Sequence, residues 1–417
     1  MKRWLEVRAK KLFLSSLEGI EGGFLELACP DKTYTFGDPS SELRAMAVVH
    51  DERFFVRAVT GADVGIGEAY MDGDWSSPDL VALVRLVTRN LRRVDSRNRI
   101  FSALNSVMAR LRHRLKGNSL KGSRSNIQAH YDVGNEFYRL FLDREMLYSS
   151  AYFQTPGDSL EDAQRNKIDL ICRKLRMEPG DRILEIGCGW GAFAIYAARQ
   201  YGAHVTGVTI SPAQFEFATQ RLEHVDVAPG SVRLLLEDYR KMEGKFDKIV
   251  SIEMFEAVGL DRYDEFFGAC DRLLTPDGSL LMQTITMPEQ ELRAYRGRVD
   301  WIQTYIFPGS ELAFLGEIQK SLARVTQLSL TQLESFGQHY ARTLGIWRER
   351  FFQKLAGVQG LGFPESFPRM WDFYMAWCEG AFREHYINVV HLLMTKNTAE
   401  KSSLFSTRLP AEEFTAR

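Results

Sequence analysis

The chain has 417 residues, a formal net charge of −1, 45% hydrophobic and 26% charged residues, the make-up of a globular protein with length for two or three folded units. Its five cysteines (Cys29, Cys172, Cys188, Cys270, Cys378) are scattered and form no C-x-x-C pair, so they indicate neither a disulfide framework nor a zinc site and suit a reducing cytoplasm. No apolar run of the about 20 residues needed to span a bilayer occurs, and the opening M-K-R-W-L-E-V-R-A-K-K-L lacks an unbroken signal-peptide core. The expectation is a cytoplasmic protein that is not inserted in a membrane.

Residues 1–85 mix strand-like runs, Thr33–Phe36 and Phe54–Thr60, with turns rich in Gly and Asp at Gly61–Gly67 and Asp72–Asp74. They predict a small α+β domain without catalytic clusters. The next segment, 86–124, is basic: between Arg85 and Arg124 there are twelve Lys or Arg and one acid, Asp95. Within it Phe101, Leu104, Met108, Leu111 and Leu115 recur at helical spacing, giving a basic amphipathic helix that ends in the Gly/Ser/Lys-rich linker Lys116–Arg124. Such a helix is either a connector packing its stripe on a neighbouring domain or an attachment to an anionic lipid surface. No nucleic-acid reader motif accompanies the charge, so a nucleic-acid partner is not expected.

From Ser125 polar residues alternate with aromatics, and Met146–Phe153 reads M-L-Y-S-S-A-Y-F. Small hydroxyls among aromatics suit either a helix packed into a core or the wall of a pocket that holds a polar cofactor beside an apolar substrate. Asp162–Arg176 is a charged amphipathic helix. It leads into Arg182–Ala192, R-I-L-E-I-G-C-G-W-G-A: a short apolar strand, glycines at 187, 189 and 191, then a helical pattern. Such a turn lets the backbone approach a ligand closely and presents the free N–H groups of a helix start, but it carries meaning only inside a βαβ unit. That unit follows, with strands at Ala203–Thr209, Val232–Leu236 and Phe246–Ser251, the last ending near Glu253 and Glu256, and intervening helical stretches. The alternation predicts a doubly wound parallel sheet whose ligands collect at the C-terminal strand ends. Beyond a late strand at Gly278–Thr286 the chain becomes helical and aromatic, with Trp301, Tyr305, Phe307, Tyr340, Trp347, Trp371, Tyr374 and Trp377 among its residues. These suit core packing, an acyl-chain cavity, or ring faces that stabilise a passing cation. A polar tail, 401–417, closes the chain.

Eight segments together resemble the cyclopropane fatty acid synthases, which use S-adenosylmethionine. They are G-I-G-E-A-Y-M-D-G-D-W at Gly65–Trp75, H-Y-D-V-G-N-E-F-Y at His130–Tyr138, Y-S-S-A-Y-F at Tyr148–Phe153, L-E-I-G-C-G-W-G at Leu184–Gly191, M-F-E-A-V-G at Met254–Gly259, Y-I-F-P-G at Tyr305–Gly309, F-G-Q-H-Y at Phe336–Tyr340 and C-E-G-A-F-R at Cys378–Arg383. The resemblance spans nearly the whole chain. It implies a Rossmann-like methyltransferase domain over 125–400 with helical, aromatic-rich lipid-pocket additions and the smaller N-terminal domain. In the cofactor site it implies Glu185 at a strand end, Gly187, Gly189 and Gly191 at the methionine end, Thr209 and Gln214 near the ribose, Asp238 and Tyr239 near the adenine, and Tyr148 and Ser149 closing over it.

The resemblance further implies methyl transfer to the cis double bond of an unsaturated phospholipid at a membrane surface, then loss of a proton from the new methyl to close a cyclopropane. In the family that proton goes to a bicarbonate held by a Glu, a His, a Tyr and backbone groups near a Cys. Here Glu256, Tyr340 and the backbone of Ile285 match, but the His position is Gln283, the Cys position is Ser150, and the His that commonly follows the Glu is Ala257. Gln283 can still donate through its amide and Ser150 through its backbone N–H. Cys378 is read as a pocket-wall residue, because transfer from a sulfonium needs no covalent intermediate; His130 and His339 are read as structural. Alternative outcomes are a methyl-branched or methylene acyl product, N-methylation of a small amine, and a non-catalytic lipid-binding protein. The oligomeric state, with a homodimer as one outcome, is not fixed by the sequence.

Overall fold

The computed structural model describes residues 2–91, 133–296 and 298–396. The first unit is a four-stranded sheet of β1 (Phe24–Ala28), β2 (Thr33–Gly37), β3 (Arg44–Val49) and β4 (Trp75–Ser76) in the order β2-β1-β3-β4, with β1 and β3 parallel. Helices Lys2–Leu17 and Arg53–Met71 pack on one another and bury Phe54 and Phe55 against Phe13. Here the sequence expectation is corrected: Phe54–Thr60 is not a strand and Gly61–Gly67 is not a turn. Both belong to the helix Arg53–Met71, kinked at Ala62, where φ is 50°. Gly67 is there for close approach rather than for chain reversal, since a Cβ on it would lie 2.3 Å from the Trp301 ring.

That contact is one of several tying the first unit to the rest. Tyr70 Oη donates to Asp372 Oδ2 at 2.5 Å, Arg348 Nε donates to Asp372 Oδ1 at 2.6 Å, and Arg369 reaches the carbonyls of Tyr70 and Trp75. A helix over 80–91, begun by Asp79 accepting from the Ala82 N–H, carries Arg85 and Arg89 to Glu384. It therefore runs through position 85 and joins both units. The remainder of the basic segment, with its apolar stripe and linker, His130 and the tail 401–417 lie outside the described residues.

The second unit is a seven-stranded sheet of β5 (Arg182–Ile186), β6 (His204–Thr209), β7 (Ser231–Leu236), β8 (Phe246–Ile252), β9 (Leu274–Thr286), β10 (Leu328–Ser335) and β11 (Asn388–Lys396), in the order β10-β11-β9-β8-β5-β6-β7. Strands β5 to β9 are parallel; β11 and β10 add antiparallel at one edge. The interior strands read as near-continuous apolar runs because helices cover both faces: Ile183, Leu184, Ile249, Val250, Leu280 and Leu281 are fully buried. The chain leaves β5 toward β6 and β7, then crosses to β8 and β9 on the other side. That reversal of direction opens a crevice at the C-terminal end of β5. The C-terminal part is indeed helical and aromatic, but it also supplies β10 and β11, whose mixed polar and apolar residues gave no distinct strand signal.

Candidate active site

The site grows from the end of β5. Gly187, Gly189 and Gly191 have φ of 83°, 52° and 82°, and the N–H groups of Gly187 and Cys188 both bond the Val208 carbonyl, so the turn doubles back tightly before the helix Ala192–Tyr201 begins. Only glycine adopts this run of left-handed conformations without strain. A Cβ on Gly189 would meet nothing within 4 Å, so that face is open for a ligand. Just before the turn stands Glu185, buried, with Oε2 lacking a hydrogen-bond partner among the described residues. Burial pushes its carboxyl up to about 8, opposed by the charge of Lys167. Lys167 is itself fully buried, donates to Ser149 Oγ at 2.6 Å, and is pushed down to about 8 by desolvation against the pull of Glu253, Asp143 and Glu185.

A cavity of about 300 Å³ runs from this turn, with Ser149, Thr209, Gln214, Asp238 and Tyr239 in its wall together with Tyr148, Tyr340, Tyr374, Cys378 and Phe382. Thr209 Oγ1 donates to Gln214 Oε1 at 2.9 Å, fixing both at the end of β6. Asp238 is held by Arg240 through two bonds of 2.8 and 2.7 Å, which keep its carboxylate ionised despite burial. Tyr148 Oη donates to Tyr374 Oη at 3.0 Å and its ring lies 5.3 Å from that of Trp347. Trp190 Nε1 donates to Asn135 Oδ1 at 2.8 Å, which brings the segment before Tyr138 onto the glycine turn. Burial pushes the Cys378 thiol far up, so it stays neutral in the wall. His339 accepts from the Phe153 N–H at 2.9 Å and stacks on Tyr152, away from the cavity wall.

Two carboxylates face the cavity beside the ends of β8 and β9. Glu256 Oε1 accepts from the Ile285 N–H at 2.5 Å and Thr284 Oγ1 at 2.8 Å, and Oε2 has no partner among the described residues. Desolvation first, and the neighbouring Glu253 second, push its carboxyl up to about 7. Glu253 accepts from the Ser150 N–H at 2.8 Å, Gln283 Nε2 at 2.7 Å and Tyr340 Oη at 2.8 Å. Its own φ is 47°, a conformation that costs a non-glycine residue about 1–2 kcal/mol. The structure thus splits the residues the sequence grouped into two sets. Ile285 serves Glu256, whereas Ser150, Gln283 and Tyr340 converge on Glu253. Sequence reading placed Glu253 only at a strand end and missed Thr284, Lys167 and His391. None carries a local pattern signal, although a charged residue closing a strand of a doubly wound sheet is a cue for the first.

A parallel sheet with its switch point at a glycine turn, an orphaned carboxylate oxygen beside that turn and an aromatic-walled cavity define the S-adenosylmethionine-dependent methyltransferases as the class. Residues 118–392 match the mycolic acid cyclopropane synthetase family. The chain belongs to that family. It is 38% identical over 333 residues to the tuberculostearic acid methyltransferase UfaA1 of Mycobacterium tuberculosis (78% of this chain, 77% of the relative). It is 36% identical over 349 residues to the cyclopropane-fatty-acyl-phospholipid synthase of Escherichia coli (84% and 87%). Among solved structures, mycolic acid cyclopropane synthase CmaA1 complexed with SAH and CTAB superposes with a TM-score of 0.61 at 35% identity, over 66% of this chain and 98% of that one.

Proposed function

We propose that the protein transfers a methyl group from S-adenosylmethionine to the cis double bond of an unsaturated phospholipid acyl chain and closes a cyclopropane. The observation that carries this reading is the single cavity joining the glycine turn to an aromatic, carboxylate-bearing end, in a chain whose relatives include a cyclopropane-fatty-acyl-phospholipid synthase. The cofactor would supply a methyl already activated on a cationic sulfur. Glu185, with its unpaired oxygen, suits the ammonium of the amino-acid end; the turn 187–191 would lie along that end, Thr209 and Gln214 along the ribose, and Asp238 and Tyr239 along the adenine.

The chain's own part is to align the alkene, exclude water and stabilise the positive charge that develops on the acyl chain. Ring faces of Tyr340, Tyr374 and Phe382 and the carboxylate of Glu253 supply that stabilisation. Cys378, neutral and in the wall, shapes the acyl channel. Access to a bilayer substrate would come from the surface. Helix Lys2–Leu17 leaves Trp4, Leu5, Val7 and Leu12 exposed beside Arg8 and Lys11, a face suited to a peripheral, anionic interface, and no described helix is long and apolar enough to cross a membrane. Incubation with S-adenosylmethionine and vesicles of an unsaturated phosphatidylglycerol should yield S-adenosylhomocysteine and lipids with upfield ring protons in the NMR spectrum. Olefinic or methyl-branched products, or no release of S-adenosylhomocysteine, would overturn it.

A further inference from the structure

Among the described residues, Glu253 is a carboxylate facing the cavity on which three donors from distant parts of the chain converge. Ser150 lies 103 positions away, Tyr340 87 and Gln283 30. Two of the bonds go to Oε1 and one to Oε2, so one lone-pair direction on Oε2 is left. The orientation of the Gln283 amide is enforced from behind. His391 Nδ1 lies 2.9 Å from the Lys174 ammonium, which can only donate, so the proton of the neutral imidazole sits on Nε2. Nε2 then donates to Gln283 Oε1 at 2.9 Å, leaving the amide N–H to Glu253. Burial and the nearby lysines keep His391 neutral. Lys174 in turn pairs with Glu334, which also accepts from Tyr152. Burial raises the Glu253 carboxyl, and every group that hydrogen-bonds it is set to donate, as around a bound anion, which opposes that rise.

The three donors are the Gln, the Tyr and the serine backbone that stand at the positions which, by the family resemblance, would hold a bicarbonate. Here a side chain of the protein already takes their hydrogen bonds. On the reading of the reaction given above, we propose that Glu253 is its base, an anion built into the chain in place of a diffusible bicarbonate. The C–H bond of the transferred methyl breaks, its electron pair forms the second carbon–carbon bond of the ring and cancels the cationic charge, and the proton is held on Glu253 Oε2 until it passes to water. Glu256, without Tyr340 or Gln283 as donors and with the Glu253 charge beside it, is the carboxyl that holds a proton in the resting site. Among the described residues, other charged or titratable groups near the pair include Lys167, Tyr340 and Tyr263.

The test uses the full chain as wild type, Glu253→Gln and Glu253→Gly, the last matched to the left-handed backbone of the position. With S-adenosylmethionine and unsaturated phosphatidylglycerol vesicles, wild-type turnover should be the same in CO2-stripped buffer and in millimolar bicarbonate, and Glu253→Gln should fall by about 100-fold, the scale of a lost general base. Glu253→Gly should be as slow in stripped buffer and regain about tenfold or more on adding bicarbonate. Independently of turnover, 13C-bicarbonate observed by NMR should broaden with ligand-free Glu253→Gly and not with wild type. A strong bicarbonate requirement in the wild type, near-normal turnover of Glu253→Gln, or a folded Glu253→Gly that neither binds nor uses bicarbonate would overturn the proposal. If wild type forms no ring, the reading of the reaction fails, while the 13C experiment still decides whether Glu253 fills an anion site.

Discussion

Glu256→Gln isolates the energetic cost of packing two carboxylates against one cavity. In the folded chain the Glu256 carboxyl is pushed from an ordinary 4.5 to about 7, chiefly by desolvation and then by the charge of Glu253, with the Ile285 N–H and Thr284 hydroxyl opposing. The folded state therefore holds this proton more tightly than the unfolded chain, and its contribution to stability is full below pH 4.5 and is lost as the pH rises toward 7. At about 1.4 kcal/mol per pH unit, the loss amounts to about 3 kcal/mol by pH 8. Gln keeps the two bonds from Ile285 and Thr284 but does not titrate, so any constant effect of the substitution cancels when the pH dependence is compared. Urea unfolding of ligand-free protein, followed by tryptophan fluorescence from pH 4.5 to 8, should show the variant gaining about 3 kcal/mol on the wild type across that range. Curves that stay parallel would refute the assignment of a raised, proton-holding Glu256. In the same variant, which mimics the protonated carboxyl, turnover should stay within about tenfold of wild type and cofactor affinity measured by calorimetry within about twofold; a fall of about 100-fold in turnover would give Glu256 rather than Glu253 the part of the base.

Four other substitutions probe the frame around the site. Glu185→Gln should weaken S-adenosylmethionine binding by calorimetry about tenfold, yet should not lower the melting temperature at neutral pH, because the buried carboxylate it removes is costly to ionise. Gly67→Ala places a methyl 2.3 Å from the Trp301 ring and should cost about 1–3 kcal/mol in chemical denaturation, against a gain if the glycine served only as a flexible link. Asp372→Ala strips the buried partner from Tyr70 and Arg348 and should destabilise by about 3–5 kcal/mol, whereas Tyr70→Phe, which leaves the Arg348 pair intact, should cost about 1 kcal/mol by the same measurement.

The parts of the fold legible in the sequence are those whose cause is local. The run Ile183–Ile186, its three glycines and the helix after them announce strand, turn and helix through periodicity and backbone freedom alone, and the structure has them at β5 and Ala192–Tyr201. Gly61, Gly65 and Gly67 misled for the opposite reason. Glycine marks tight turns and close packing alike, and the packing partner of Gly67, Trp301, lies far along the chain. Strands β10 and β11 carry no distinct signal because their residues alternate weakly and are held by pairing, β11 with β9 and β10 with β11, rather than by their own propensity. The candidate site divides similarly. Glu256 and Tyr340 stand out through motifs, while the part of Glu253 depends on donors from three segments that only the folded sheet brings together, and on His391, whose tautomer is set by a lysine from another helix.

The left-handed backbone at Glu253 bears on how such a site changes over generations. A residue with φ of 47° can be replaced by glycine without moving the chain, and the glycine codons GGA and GGG each differ by one base from the glutamate codons GAA and GAG. One nucleotide therefore separates a site that carries its own anion from one with a vacancy of the same shape, lined by the same three donors and ready for a small anion from solution. Dependence on dissolved carbon dioxide could be lost or acquired here in a single step, with the rest of the protein unchanged.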